Sequence, residues 1–220
     1  MKLNKDISII IVNYNRQEFL DRCLRSCIDQ ILFQKSFEII FVDDGSTDNS
    51  FDIAKKYISN VRIFKFKKNQ GISVASNFAI KKSIGKYFIR VDSDDFLNKH
   101  ALDSLANVIL HNKNFAFVCC DHHRVDEFGF KENLVRLNTK EKIRNHGAGI
   151  LFNKKIFLKY GYYNKNLKEA EDYEILSKII KKEEYFYLPI PLYRYYIHKN
   201  NISHSGSRKK FIQMIKKKNV

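Results

Sequence analysis

Short apolar runs alternate with polar turns and amphipathic stretches through the first half of this 220-residue chain. Ile7 to Val12 is apolar except for Ser8, the pattern of a strand buried on both faces. Asn13-Tyr14-Asn15 ends it. Phe19, Leu20, Cys23, Leu24, Cys27, Ile28 and Ile31 then recur at steps of three and four, which predicts a helix with one face on a core. Phe37 to Val42 reads as a second strand, followed by the turn Asp43-Asp44-Gly45-Ser46-Thr47-Asp48. Thr47 or Asp48 can cap a helix from about Ser50 to Tyr57. Val61 to Phe66 is a third strand, and Asn69-Gln70-Gly71 leads into a helix from Ser73 to Ser83 that Gly85 stops. Tyr87 to Val91 is a fourth strand. Asn98 is placed to cap a helix that buries Ala101, Leu102, Leu105, Val108 and Ile109, and Phe115 to Cys120 is a fifth strand. This order predicts crossover connections and an α/β fold, a central mostly parallel sheet flanked by helices.

The second half is less regular. Ala148 to Phe152 reads as a short strand, and Asn153 as the cap of a helix running to Tyr160 before Gly161. Glu171-Asp172 opens a helix holding Tyr173, Leu176, Ile179 and Ile180. Tyr185 to Leu188 and Leu192 to Ile197 read as two short strands around Pro189 and Pro191. No composition shift forces a second domain.

With 44% hydrophobic and 29% charged residues, the chain has an ordinary globular mix. No run approaches the ~18 apolar residues of a membrane span, and no apolar signal segment precedes the first strand. Cys23 and Cys27 share a helix face, and Cys119 and Cys120 are adjacent in a strand. That spacing fits neither a zinc knuckle nor a disulfide framework, so reduced core thiols and a cytoplasmic location are expected. Forty Lys and Arg against 24 acids give a formal charge of +16. Attraction to nucleic acid, attraction to an anionic membrane, or a lysine-rich surface each accounts for it. Residues 206–220 mix positive flanks with Phe211, Ile212, Met214 and Ile215. They read either as a helix lying peripherally on an anionic membrane or as a solvated end.

Against this positive background, acids gather at two strand ends. Asp43 and Asp44 follow the second strand; Asp92, Asp94 and Asp95 follow the fourth. Carboxyl ends of parallel strands share one crevice. Hard oxygen ligands suit Mg²⁺ or Mn²⁺ and leave positions open for phosphate oxygens; the plainer reading is three acids capping a helix. Asp43 or Asp44 can accept from ribose hydroxyls or a base N–H, or form an Asx-turn. At a helix start, Glu171 and Asp172 are favoured in their ionised forms, as a base awaiting a hydroxyl requires, although acids decorate many helix starts. His122, His123, His146, His198 and His204 form no compact zinc signature. A GxGxxG fingerprint and a P-loop are both missing, which counts against redox and NTPase chemistry.

Taken in order, these segments resemble the inverting glycosyltransferases of family 2, which have the GT-A fold. Ser8 to Asn15 is similar to the family's first strand and nucleotide loop, with Val12 where proline is common. Val42 to Asp48 resembles its second-strand signature. Asn69-Gln70-Gly71 through Ala75-Ser76-Asn77 resembles the next element, with Ser76 in place of the usual arginine. Val91 to Asp95 matches the D-x-D segment, Glu171-Asp172 the late acidic pair, and Tyr193-Arg194 with His198 and Ser203 the closing stretch. The resemblance spans about residues 7–205. It implies one GT-A catalytic domain over 1–205, with a nucleotide-sugar half (about 1–122), an acceptor half (about 123–205) and the basic tail 206–220.

The resemblance also implies roles. Asp94 would be the main ligand of Mn²⁺ or Mg²⁺, with Asp92 beside it. Val12, Asn13, Tyr14, Asp43, Asp44, Asn69, Gly71, Asp92, Arg194 and His198 would contact the donor. Asp172 would be the general base, with Glu171 as its orienting neighbour or a second candidate. The implied reaction moves a hexose from a nucleoside-diphosphate sugar, uridine being the expected base, to a hydroxyl of a glycan or lipid-linked glycan in bacterial surface polysaccharide synthesis. A sugar-phosphate nucleotidyltransferase is the alternative, but it wants a glycine-rich basic loop where Asn13-Tyr14-Asn15-Arg16 stands. A nonenzymatic nucleic-acid binder is a further alternative, although its phosphates would meet the acid clusters; no nucleic-acid partner is expected. Glycoside hydrolysis also uses paired carboxylates but leaves the strand-end clusters unexplained.

Overall fold

In the computed structural model, which describes residues 5–33, 35–167, 169–199, 201 and 206–218, the first apolar run becomes β1 (Ile7–Asn13). It pairs in parallel with β2 (Phe37–Asp43) on one side and β4 (Tyr87–Asp92) on the other. β3 (Val61–Lys65) extends the parallel set beyond β2. Past β4 the direction changes: β8 (Leu151–Asn153) runs antiparallel between β4 and β6 (Phe117–Val125). β9 (Phe186–Tyr196) lies parallel to β6, β5 (Phe96–Leu97) runs antiparallel to β9, and β7 (Lys131–Val135) forms a hairpin on β6. The order is β3-β2-β1-β4-β8-β6-β9-β5.

The sheet is therefore mixed, with its longer ladders parallel, as expected, and short antiparallel pairings at β5, β7 and β8. Helical crossovers join β1 to β4 and force parallel pairing there, whereas the short β6–β7 turn permits only a hairpin. The two strands expected around Pro189 and Pro191 are one long β9. Its register against β6 shifts on both sides of Asp121, opposite the prolines that cannot donate to the ladder.

Helices cover both faces. α1 (Gln17–Ile28), α2 (Ser50–Lys55) and α4 (Ala101–His111) pack on one side; α3 (Ile72–Lys82), α6 (Lys154–Tyr160) and α7 (Glu171–Ile179) on the other. β1 shows the reason for its continuous apolar run: Ile7, Ile9 and Ile11 face the first layer and Ile10 the second. Complete burial of each such side chain is worth about 1.5–3 kcal/mol. All four cysteines are free and buried in these cores. Local signals hold in part. Asn153 caps α6 through Lys155 N (3.2 Å), and Gly161 ends it at φ 84°. Asn98 accepts from His100 N (3.0 Å), one residue before α4, and Asp48 accepts from Ser50 N (3.0 Å).

Two further helices complete the structure, of which only the second was offered by the sequence as one of two readings. α5 (Lys140–Arg144) is one short turn capped by Thr139. α8 (Gly206–Lys218) is the basic tail, and it docks on the protein. Ile215 is buried with Ala170 and Tyr173, and Leu167, Phe211 and Ile212 pack beside them. Lys209, Lys210, Met214 and Lys217 face outward. The tail is thus not a solvated end, and its apolar side is turned to α7. Among the described residues, no helix is long and apolar enough to cross a membrane.

Candidate active site

The C-terminal ends of β1, β2 and β4 and the first turn of α7 open into one cleft of about 610 Å³. Its wall includes Val12, Tyr14, Asp44, Asn69, Gly71, Asp92, Asp94, Glu171 and Asp172. Carboxylates drawn from distant parts of the chain therefore face one space, as expected for a switch point of an α/β sheet.

On the β2 side, Asp44 accepts from the backbone amides of Gln70 and Gly71, both at 2.8 Å. Its own amide donates to Asn13 O (2.8 Å). Burial pushes its carboxyl upward, against the pull of those two amides. The loop comes this close because residue 45 lacks a side chain: Gly45 is at φ +75°, and a Cβ there would sit 2.5 Å from Lys68 C. Asn13 and Asp43, expected to contact donor, lie beneath the wall rather than in it. The Asn13 amide donates to Asp43 (3.3 Å) and to Ser46 Oγ (3.1 Å), so the pair fixes the turn that presents Asp44. Tyr14 is 43% exposed at the rim.

Beyond β4 the three acids diverge. Asp95 is inside, accepting from Tyr193 Oη (2.7 Å) and Tyr196 N (2.8 Å); burial, then Asp94 and Asp92, push its carboxyl well up. Asp94 faces His198 Nε2 at 2.9 Å and Arg16 Nε at 3.3 Å. Burial opposes its ionisation, yet the His198 hydrogen bond and the Arg16 charge hold it below its usual value. The His198 ring packs against Phe19 and Tyr196, with centroids 5.0 and 5.2 Å away, and those two rings also touch each other at 5.0 Å. Asn201 accepts from His198 N (2.5 Å) and anchors the segment. Asp92, expected with Asp94 at a metal, directs Oδ1 to Arg90 Nε (3.3 Å). Ser203 lies outside the described residues.

Among the described residues no group of three or more His, Cys, Asp or Glu could hold a metal ion. The donor set of Asp94 and His198 still fits a divalent cation that takes few protein ligands and completes its shell with substrate phosphate and water, as Mg²⁺ does. The two candidate ligand atoms, Asp94 Oδ2 and His198 Nε2, bond each other at 2.9 Å, so a cation would part this pair to bind.

Arg90 is the residue the sequence reading passed over. It lies in an otherwise apolar strand, is 4% exposed, and its Nη1 reaches Glu171 Oε1 at 2.7 Å. It thus bridges Asp92 and the late acidic pair. Burial, then the Asp172 charge, push the Glu171 carboxyl up, opposed by Arg90. The helix terminus does not dominate at Glu171, contrary to expectation.

Asp172 lines the cleft one residue on. Its Oδ1 accepts from Tyr173 N (2.8 Å), and Arg208 Nη2 lies 3.3 Å from Oδ1 and 3.4 Å from Oδ2. Gly147 presses against it: a Cβ there would lie 2.2 Å from Asp172 Cβ. His146, in the same wall, stacks on His122 with centroids 4.1 Å apart. Burial, then Arg90 and Arg208, push its imidazole down to about 4. Arg194, expected at the diphosphate, alternates to the opposite face of β9 from Tyr195. Its guanidinium donates to Pro191 O (2.9 Å) and Tyr193 O (3.4 Å), and the cations in the wall are Arg16, Arg90 and Arg208. Arg16, Arg208 and Gly147 carried no signal in the sequence, because their relevance comes only from what the fold brings beside Asp94 and Asp172.

A mixed α/β sheet with its acidic cleft at a switch point defines a GT-A-like protein. Residues 8–171 match the family described as Glycosyl transferase family 2, and the chain belongs to that family. Over 210 residues it is 27% identical to chondroitin synthase of Escherichia coli, covering 90% of this chain and 30% of that protein. TarS 1–349 of S. aureus in complex with UDP-GlcNAc superposes with TM-score 0.80 at 22% identity, over 96% of this chain and 65% of that one. The mannosyltransferase PcManGT of Pyrobaculum calidifontis, in complex with GDP-Man and Mn²⁺, superposes with TM-score 0.71 at 13% identity, over 91% and 59%. The chain spans less than two thirds of each of these proteins.

Proposed function

We propose that the chain is an inverting glycosyltransferase that moves a hexose from a nucleoside-diphosphate sugar, with uridine as the base, to a hydroxyl of a surface glycan or its lipid-linked precursor. The observation that carries this is the convergence of Asp44, Asp94 and Asp172 on one cleft. Family membership and the likeness to a UDP-GlcNAc complex support it.

Donor binding belongs to the β1–β2–β4 edge. Asp44 and the loop it holds take the nucleoside, Tyr14 covers it at the rim, and Arg16 meets the diphosphate. A divalent cation at Asp94 and His198 would supply positive charge to the leaving diphosphate. On the other wall, Asp172 takes the proton of the acceptor hydroxyl as its oxygen bonds to the anomeric carbon. The bond from that carbon to the diphosphate oxygen breaks on the opposite face, so one displacement inverts the anomeric centre. Arg90 holds Glu171 and Asp92 in place on either side of the reacting atoms. Preorganised charge of this kind stabilises the transition state without reorganisation at the moment of reaction. The outward lysines of α8 suit an anionic membrane that carries a lipid-linked acceptor.

The test is a donor-panel assay with Mn²⁺ or Mg²⁺ and a mixture of glycan and lipid-linked glycan acceptors, read by mass spectrometry. Transfer with inversion is expected. Asp172→Asn should bind UDP normally yet lose most transfer, whereas transfer near the parent rate would reject Asp172 as the base.

A further inference from the structure

The helix formed by residues 206–218 stands outside the nucleotide and acceptor elements, yet among the described residues it reaches both the segment that presents Asp172 and the α5 turn beside it. Ile215 is buried against Ala170 and Tyr173. Ser207 Oγ donates to Glu169 at 2.9 Å, and Lys216 pairs with Glu141 at 2.9 Å, the same carboxylate that Tyr173 Oη meets at 3.3 Å. Ala170, the residue before the acidic pair, is left-handed at φ 63°, a conformation that disfavours any residue with a Cβ. Something must hold that turn, and the docked helix covers it. Arg208 completes the arrangement. It is 8% exposed, and one guanidinium nitrogen straddles both oxygens of Asp172 while also donating to Asn145 O (3.3 Å).

We infer that Arg208 is a positioning residue, through which α8 fixes the orientation of the Asp172 carboxylate, so that the catalytic unit includes the basic C-terminal helix. This rests on the reading of Asp172 as the base. With Tyr173 N on one side and Gly147 on another, the carboxylate has a single orientation only while Arg208 bridges its two oxygens. Because a single nitrogen makes these contacts, lysine's one ammonium reproduces them in part, without the guanidinium's fixed plane.

The experiment compares Arg208→Ala, Arg208→Lys and Arg208→Gln with the outward-facing control Lys210→Ala, each in the full chain. UDP binding by calorimetry should stay at the parent level in Lys210→Ala and fall less than turnover in the Arg208 variants, whose side chain shares the cleft wall. Sugar-transfer turnover should fall about 10²-fold in Arg208→Ala, the loss expected for a misplacement of ~1 Å. It should fall less in Arg208→Lys, and added guanidinium should raise it several-fold in Arg208→Ala. A purely structural prop would not respond to guanidinium. Hydrogen exchange gives a readout independent of turnover: the amides of residues 171–174 should exchange faster in Arg208→Ala. Parent turnover in Arg208→Ala, or unchanged exchange at those amides, overturns the inference. If that occurs while Asp172→Asn is inactive, only the positioning role fails. If Asp172→Asn is itself active, the base assignment fails and takes this inference with it.

Discussion

Gly147→Ala tests how tightly the site is built. The backbone of Gly147 is not left-handed, so alanine adds no conformational strain and the effect comes from one methyl group. That methyl would stand 2.2 Å from Asp172 Cβ, 2.3 Å from Oδ2 and 2.6 Å from Cγ. Ordinary contact begins at 3.4 Å, so Asp172 and residue 147 must separate by about 1.2 Å. A shift of that size at a reacting group costs ~10²-fold in turnover. Overpacking also costs about 1–3 kcal/mol, lowering the melting temperature by ~2–4 °C per kcal/mol in a chain of this length. The assay is steady-state sugar transfer alongside UDP calorimetry and thermal unfolding. The expected result is a collapse of kcat with UDP affinity intact. Normal turnover with an unchanged melting temperature would show that Asp172 has room to move and would refute the packing argument.

Other predictions address the donor edge and the core. Asp94→Ala should abolish the increase in UDP affinity that Mn²⁺ or Mg²⁺ gives the parent; an undiminished increment by calorimetry would count against Asp94 as ligand. Asp44→Asn should weaken UDP binding by about tenfold, since a charge-assisted contact and the fixed loop are both impaired; equal affinity would remove Asp44 from the nucleoside site. Glu38 is buried, which alone would raise its carboxyl, but the Ile84 amide, Ser8 and Arg62 hold it below its usual value. Its folded value is depressed, so its stabilisation is full above the ordinary carboxylate range and lost as pH falls through the depressed value. Glu38→Gln should therefore destabilise the fold by about 1–3 kcal/mol at neutral pH. The difference should vanish in acid, and denaturant titrations at several pH values would show otherwise if this is wrong.

The regular first half was legible because its strands and helices follow simple apolar periods, as β1 and α1 show. β7 escaped because Lys131 to Val135 is largely exposed and lacks an apolar face. The mixed sheet escaped because β8, from beyond residue 150, inserts between strands much earlier in the chain. At the site, the acid clusters were legible from their places at strand and helix ends, and the family resemblance singled out Asp44, Asp94 and Asp172 within them. Arg90 could have been flagged as a charge inside an apolar strand. Arg208 could not, since nothing in the sequence of residues 206–218 reveals that they fold back onto Ala170 and Tyr173. Arg194 was misleading for the opposite reason: a one-residue alternation along β9 turns it away from the cleft.

The Arg90 bridge constrains any attempt to exchange acceptor preference by grafting. Its partners are Asp92, two residues on, and Glu171 from a distant segment, so a chimaera that imports a foreign segment around residue 171 inherits a buried guanidinium with half of its bridge missing. Removing that half leaves Asp92 as partner and costs part of the ~3–5 kcal/mol that breaking a buried pair entails. Successful hybrids must therefore exchange the two positions as a unit, which makes residues 90 and 171 the natural seam for redesign.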